Sequence, residues 1–182
     1  MPNNKTINNL TIGIGFSLII LLISSTASYL GIQEQNRHRQ ELAVTRKIIS
    51  MSNSLLSSLQ GAETGNRGFL LTGKENYLEP FNMALKSLPG ELQEVEALTK
   101  MDPVQKVRVD SLLTAAQWRL AILKESIDIK RKGGVVSLAH LDESKMAMDK
   151  CRAIIKAIIH YEDDSIDKKS ANLDNSSFIT TL

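Results

Sequence analysis

The sequence predicts an all-α fold, in which an N-terminal transmembrane helix precedes an elongated antiparallel four-helix bundle. Apolar residues recur at three- and four-residue intervals through most of the chain, which is the spacing of one helix face. Aromatic residues make up 4% of the chain against 42% hydrophobic residues, so the apolar side chains are mainly aliphatic, as in helical bundles. An uncharged segment near the amino terminus is long enough to form the transmembrane helix.

This uncharged segment extends from Leu10 to Ile32. A helix of about 23 residues is about 34 Å long and crosses a hydrocarbon core of about 30 Å. Tyr29 suits the membrane interface. The alternative is a cleaved secretory signal, with Lys5 as its positive charge and Ser25-Thr26-Ala27 as its cleavage site. We interpret the segment as a transmembrane helix.

An apolar line at seven-residue spacing predicts that the first bundle helix runs to about Leu71. Gly73 is placed to adopt the left-handed conformation that ends a helix, and Thr72 with Glu75 forms the Thr-x-x-Glu pattern of a capping box for the next helix. We expect the line to face the core; it comprises Leu42, Ile49, Leu56, Glu63 and Leu70.

The second helix contains Pro80, which allows two interpretations. Either the helix kinks there, or its regular part begins with Glu79 as N-cap and Pro80 at the first position. The helix is expected to extend to about Lys100.

The third helix is expected to start at Asp102-Pro103-Val104-Gln105, which combines an N-cap with a first-position proline. Gly133-Gly134 ends it. Its apolar residues keep helical spacing: Val109, Leu112, Leu113, Ala116, Leu120, Leu123 and Ile127.

The fourth helix is expected to start near Asp142 or Ser144, after a short helical turn over residues 135–140. Its predicted inner face comprises Met148, Cys151, Ile155, Ile158 and Ile166. Short turns between four amphipathic helices favour an up-down-up-down bundle.

Glu63 places a charge on the line of residues that should face the core. Arg67 follows one turn later, in the favoured order for an ion pair between residues four apart. Because a buried charge must be paired, we infer a polar layer inside or between bundles that comprises Glu63, Thr64, Asn66 and Arg67. We favour a structural role for this layer, which fixes register or dimer geometry, over direct contact with a ligand. A layer between two bundles would also allow switching between two packings.

Two stretches resemble the third class of CHASE domains, the extracellular sensory modules of bacterial histidine kinases, cyclases and chemoreceptors. The first match comprises Glu63, Gly65, Arg67, Gly68, Phe69, Leu70, Leu71, Thr72, Gly73, Tyr77, Leu78, Pro80 and Phe81. The second, residues 145–152, resembles the opening of the family's last helix and includes Met148, Asp149 and Arg152.

The resemblance implies a protein of the bacterial cytoplasmic (inner) membrane, with its amino terminus inside and its helical domain outside the cytoplasm. With one candidate span in the sequence, we expect a single-pass protein. We therefore divide the chain into an N-terminal cytoplasmic tail (1–9), a transmembrane helix (10–32), an extracytoplasmic four-helix sensory domain (33–177) and a tail or the start of a second span (178–182). Gly65 and Gly68 leave room for a neighbouring helix, and Tyr77 and Phe81 are expected to fill the core beneath the turn or to line a distal recognition surface.

No residue pattern indicates an enzyme or a cofactor. His160 shares a helix face with Asp163 and Asp164, but a solvated acidic face is the simpler interpretation than a metal site. The net charge of +2 is interspersed, so nucleic acid is not an expected partner. The single Cys151 cannot form an internal disulfide and is expected to pack within its helix.

We therefore predict a membrane-anchored, non-catalytic sensory input domain, for instance of a two-component system. Its expected partners are the lipid bilayer, a second copy of the chain and a small-molecule or protein signal of unknown identity. The family usually crosses the membrane a second time, whereas this sequence stops at Leu182. The alternatives are the N-terminal part of a longer sensor kinase, cyclase or chemoreceptor, whose activity lies in the missing part, a cleaved periplasmic binding module, or a helical spacer.

Overall fold

The computed structural model describes the backbone of residues 4–179 and the side chains of residues 12–168. It contains four α-helices, with a 3-10 helix, Glu75–Leu78, before the second. No β-strand occurs among residues 4–179, so the all-α prediction is confirmed. Residues 1–3 and 180–182, which belong to the two predicted tails, lie outside the described residues. The helices are α1 (Asn4–Thr72), α2 (Glu79–Thr99), α3 (Pro103–Arg131) and α4 (Leu138–Ile179).

The chain divides into two compact units, Met1–Ala43 and Val44–Leu182. In the N-terminal unit, every large apolar side chain described between Ile12 and Ile32 is at least half exposed. Among the described residues, one helix is long and apolar enough to cross a membrane, and the apolar stretch lies near the amino terminus. A signal sequence has the same properties, so the transmembrane interpretation of residues 10–32 stays a prediction.

The C-terminal unit is an antiparallel bundle, as the order of its contacts shows. Lys47 near the start of this unit pairs with Glu94 late in α2, whereas Ser58 further along α1 contacts Glu91. In the same way, Gln105 early in α3 donates to Glu162 late in α4, whereas Arg119 further along α3 donates to Ser144 early in α4. The turn between α1 and α2 and the turn between α3 and α4 lie at one end, where Arg131 pairs with Glu75.

The core of the bundle is aliphatic, with two phenylalanines near the turn end. On α1 the buried positions lie one residue before the predicted line, whose members are only half-buried. Consecutive residues point about 100° apart around a helix axis, and the apolar stripe of a core-facing helix is itself about 100° wide or more. A line displaced by one residue therefore lies at the edge of the buried stripe. The prediction was therefore wrong by one position; the apolar residues that α1 buries are Ile48, Leu55, Leu59, Ala62 and Phe69.

The turn after α1 confirms one prediction and overturns another. Gly73 has φ 69°, and its N–H donates to the carbonyl oxygen of Phe69 at 2.7 Å, so the left-handed helix end is confirmed. The predicted capping box is wrong. Thr72 donates its hydroxyl to the carbonyl oxygen of Gly68 and accepts from Lys74 N–H, while Glu75 pairs with Arg131 of α3 instead.

Pro80 causes no kink at its own position, because α2 begins at Glu79 and Pro80 lies in its first turn. Backbone N–H groups in a first turn have no partner within the helix, so a proline there removes no hydrogen bond. Leu78, not Glu79, is the capping residue, and it provides no side-chain hydrogen bond.

The predicted start of α3 is confirmed, since Asp102 Oδ1 accepts from Val104 N–H at 2.8 Å and from Gln105 N–H at 3.1 Å. The predicted start of α4 is wrong, because the helix begins at Leu138. Ser137 Oγ accepts from His140 N–H at 3.2 Å and so starts the helix before Asp142.

The inner faces of α3 and α4 agree with the predicted lists. On α3, Leu113 and Leu120 are only partly buried against the core. On α4, Ile166 is half-buried and the other four predicted residues are buried.

Candidate functional site

The Glu63 carboxylate lies within ion-pair distance of three arginines, each from a different helix. Its side chain is 13% exposed, and its Oε1 lies 2.7 Å from Arg67 Nη2 on the same helix. Its Oε2 lies 3.3 Å from Arg119 Nη2 on α3 and 3.7 Å from Arg152 Nη2 on α4. We call these four residues the Glu63 cluster. One carboxylate thus connects α1 electrostatically with both α3 and α4.

Arg119 is the buried cation of this cluster, with a side chain that is 2% exposed. Its Nη1 donates to the carbonyl oxygen of Ser144 at 2.6 Å and also contacts the Ser144 hydroxyl. Burial lowers the pKa of the Arg119 guanidinium, and the Glu63 carboxylate opposes that effect. Its Nε is buried without a hydrogen-bond partner among the described residues. Arg119 therefore depends on Glu63 as its anionic partner.

The predicted polar layer is only partly inside the bundle. Asn66 is 3% exposed, and its Nδ2 donates to the carbonyl oxygen of Leu123 at 2.9 Å, so Glu63 and Asn66 are placed as expected. Thr64 and Arg67 are exposed, and the Thr64 hydroxyl donates to the backbone carbonyl oxygen of Gln60 on the same helix. The prediction that the polar layer lies inside the bundle is wrong for Thr64 and Arg67, because both residues lie on the outer side of α1. An interface between bundles stays a prediction for them.

The two signature glycines lie where the chain returns against α1. A Cβ atom at Gly65 would lie 2.7 Å from the carbonyl oxygen of Tyr77, and one at Gly68 would lie 2.5 Å from Tyr77 Cδ1. The prediction that these glycines allow a close approach is confirmed. Pro80 also packs near Gly61 and Gly65 on this face.

The apolar signature residues divide between core and surface. Phe69 and Phe81 are 2% and 4% exposed, so Phe81 fills the core as predicted. Tyr77 is 45% exposed and is not a core residue, because its ring lies over Gly68 at the edge of the bundle. Leu70 is half-buried, and Leu71 is 86% exposed.

The second signature segment lies beside the first in space. Met148 is buried in the core, whereas Arg152 Nη1 lies 3.0 Å from Asp149 Oδ1 on the exposed side of α4. Because Arg152 also approaches Glu63, the two matching stretches of sequence meet at the Glu63 cluster.

A cavity of about 510 Å³ opens beside the Glu63 cluster. Leucine side chains form its apolar part, namely Leu70, Leu71, Leu123 and Leu141. The remaining lining residues are polar or charged: Glu63, Asn66, Arg67, Arg119, Asp142, Ser144 and Lys145. The cavity therefore has an apolar wall and groups of both charges, which is typical of a site for a small polar molecule.

Sequence reasoning missed Arg119, although the signal that identified Glu63 was also present there. Arg119 follows Leu112 and Ala116 and precedes Leu123 at helical spacing, so it is a charge in the apolar stripe of α3. Asp142, Ser144 and Lys145 also line the cavity, and no comparable signal in the sequence marked them as site residues.

The three histidines and Cys151 lie outside the Glu63 cluster. Among the described side chains, no three His, Cys, Asp or Glu residues lie close enough to hold a metal ion. His160 Nδ1 lies 3.5 Å from Asp164 Oδ1, and both side chains are exposed. Burial raises the pKa of the Cys151 thiol to about 11.

Comparison with known proteins gives one family and one fold. A family model described as the CHASE3 domain matches residues 38–172. The crystal structure of the Rhodopseudomonas palustris histidine kinase HK9 sensor domain is similar, with a TM-score of 0.59 and 22% sequence identity. The similarity covers 68% of this chain and 98% of that chain. No curated protein matches this chain in sequence.

Proposed function

The chain belongs to the CHASE3 domain family of sensory domains, and on this basis we propose that it is the membrane-anchored, extracytoplasmic input domain of a bacterial signal-transduction receptor. In this proposal the domain is not itself catalytic. It responds to a small molecule or protein outside the cytoplasm and changes the activity of an output module in the same receptor or in a partner protein.

The observation that carries the proposal is the position of Glu63 on α1. The carboxylate balances Arg119 of α3 and Arg152 of α4, so a change in either contact alters the forces on α1. The apolar stretch near the amino terminus belongs to the same helix. We propose that α1 is the element through which a signal reaches the membrane.

The proposed anchoring in the membrane is supported by the N-terminal unit. Its apolar side chains between Ile12 and Ile32 are exposed, and a bilayer would remove this surface from water. An orientation with the amino terminus inside follows from the family, whose domains are extracellular. Protease protection in sealed vesicles tests it, because a protease added outside should cut the bundle but leave an N-terminal tag intact. The reverse pattern would contradict the orientation.

We also propose that the receptor contains two copies of the chain. Support comes from Thr64 and Arg67, residues of the predicted polar layer that lie on the exposed side of α1 and are available to a neighbouring bundle. Light scattering of the full chain in detergent should give the mass of a dimer. A monomer at all accessible concentrations would contradict this part of the proposal.

The experiment that tests the input function uses a chimaera. The chain is fused to the second span and kinase of a sensor kinase from which the input domain has been removed, and autophosphorylation is measured in membranes. Glu63→Leu and Arg119→Met are expected to change the kinase activity. Lys86→Ala, on the exposed side of α2, is the matched control and should leave it unchanged.

The result that would contradict the input function is unchanged kinase activity in both cluster variants while circular dichroism shows them folded. A helical spacer predicts that result, because a spacer only holds its neighbours apart and needs no coupling between α1 and the other helices.

A further inference from the structure

We propose that the cavity beside the Glu63 cluster binds a small zwitterion with an apolar side chain, such as an aliphatic amino acid. The inference deepens the proposed input function, since it gives the chemical class of the signal. It rests on the charges, the apolar wall and the size of the cavity.

The size suits a molecule of this class. At about 510 Å³ the cavity falls within the range of about 300–1,000 Å³ that is usual for small-molecule sites. Its lining comes from three helices, α1, α3 and α4, so a bound molecule would touch all three.

The cations at this site can receive a carboxylate. Arg67 and Lys145 line the cavity, and their side chains are 73% and 76% exposed. Each makes an ion pair with a residue of its own helix, which leaves donors of both groups open to solvent. Arg119 lines the cavity as well, and its buried Nε lacks a partner among the described residues.

One anion of the cavity is available for an ammonium group. Glu63 is already balanced by arginines from three helices and accepts no further cation readily. Asp142 is exposed and makes no hydrogen bond or ion pair with any side chain that the structure describes. The cavity thus has open cations, Arg67 of α1 and Lys145 of α4, and one open anion, Asp142 of α4. A molecule that carries both charges can pair with groups of both signs.

The apolar wall accounts for the side chain of the ligand. Leu71 is 86% exposed and Leu141 is 45% exposed, so both present apolar surface to water. An aliphatic side chain that packs against them removes this surface from water on both partners. Glycine, which has the same charges but no side chain, would gain nothing from this wall.

Binding in this manner would join α1 to the first turns of α4. The carboxylate would contact Arg67 of α1, and the ammonium group would contact Asp142 of α4. A ligand that prefers one spacing of these helices shifts the population toward that spacing.

Isothermal titration of the full chain in lipid nanodiscs tests the inference. The probes are leucine, 4-methylpentanoate, which lacks the ammonium group, 3-methylbutylamine, which lacks the carboxylate, and glycine. We expect saturable binding of leucine, with the three other probes weaker by at least about tenfold. The absence of leucine binding up to about 10 mM, or equal binding of 4-methylpentanoate, would overturn the inference.

Two variants show whether the binding occurs in this cavity. Asp142→Asn should weaken leucine about tenfold and leave 4-methylpentanoate unchanged, while Lys86→Ala should change neither. Leucine binding that is insensitive to Asp142→Asn would overturn the assignment. Failure of the input function is recognised separately, because leucine would then bind without changing the kinase activity of the chimaera.

Discussion

Loss of the Glu63 carboxylate should destabilise the bundle strongly, because it leaves the Arg119 guanidinium buried without an anion. Breaking a buried ion pair costs about 3–5 kcal/mol in the free energy of unfolding. Glu63 is 13% exposed and Arg119 keeps its hydrogen bonds to Ser144, so we expect the lower end, about 3 kcal/mol, for Glu63→Leu.

The matched control is Arg67→Ala, which removes a second cation from the same carboxylate. Arg67 lies only 2.7 Å from Glu63, yet its side chain is 73% exposed, and exposed ion pairs contribute about 0–1 kcal/mol. We therefore expect the shorter contact to contribute less than the longer contact of 3.3 Å to Arg119. Burial, and not distance, decides the difference.

Urea unfolding of the full chain in mild detergent measures these free energies. Trp118 is the single tryptophan of the chain and precedes Arg119, and its Nε1 donates to Glu143 of α4 at 3.1 Å, so its fluorescence reports separation of α3 and α4. The double variant Glu63→Leu with Arg119→Met removes both charges and should recover most of the lost stability. A loss for Glu63→Leu as small as that for Arg67→Ala, or no recovery in the double variant, would refute the reasoning.

Three further outcomes are expected. Gly65→Ala should lower the free energy of unfolding by about 1–3 kcal/mol, because the added Cβ would lie 2.7 Å from a backbone oxygen. The control Gly90→Ala, whose added Cβ would have nothing within 4 Å, should raise the free energy of unfolding by about 0.4–1 kcal/mol. Burial raises the pKa of Asp102, but hydrogen bonds from Gln105 N–H, the Tyr161 hydroxyl and Val104 N–H outweigh it and hold that pKa below its ordinary value. The charged cap therefore stabilises the fold above the unfolded pKa of about 3.9 and loses this effect as pH falls through the folded pKa, so wild type should exceed Asp102→Asn in stability at pH 7 but not in strong acid. Because burial raises the pKa of Cys151 to about 11, the native thiol should resist alkylation at pH 8 and react after unfolding; equal rates would contradict its burial.

Helix ends determined by neighbouring residues were predicted well. Asp102 caps α3 through N–H groups two and three residues ahead, and Gly73 and Gly133 adopt positive φ without reference to other helices. These features follow from the backbone and from side chains within one turn. The predicted capping box was wrong because Glu75 has a competing partner, Arg131, that lies far away in sequence.

Positions around the helix axis were predicted less well. A shift of one residue on α1 separates the predicted line from the buried stripe, because residues on either line recur at the same spacing. On α4 the start was placed too late, because Ser137 was not recognised as its cap. Leu141, Asp142 and Lys145, close to this start, line the cavity.

The sequence by itself determined the class of fold, the number of helices and the presence of a charge, Glu63, that needs a partner on the bundle side of α1, because helical periodicity and a charge within an apolar stripe are local properties. Only the tertiary structure decided which groups balance that charge. Arg67 is one turn away and was predicted, but Arg119 and Arg152 reach Glu63 from other helices. Contacts of this kind depend on the rotation and register with which helices pack, and the periodicity of one helix contains no information about the residue that faces it on another.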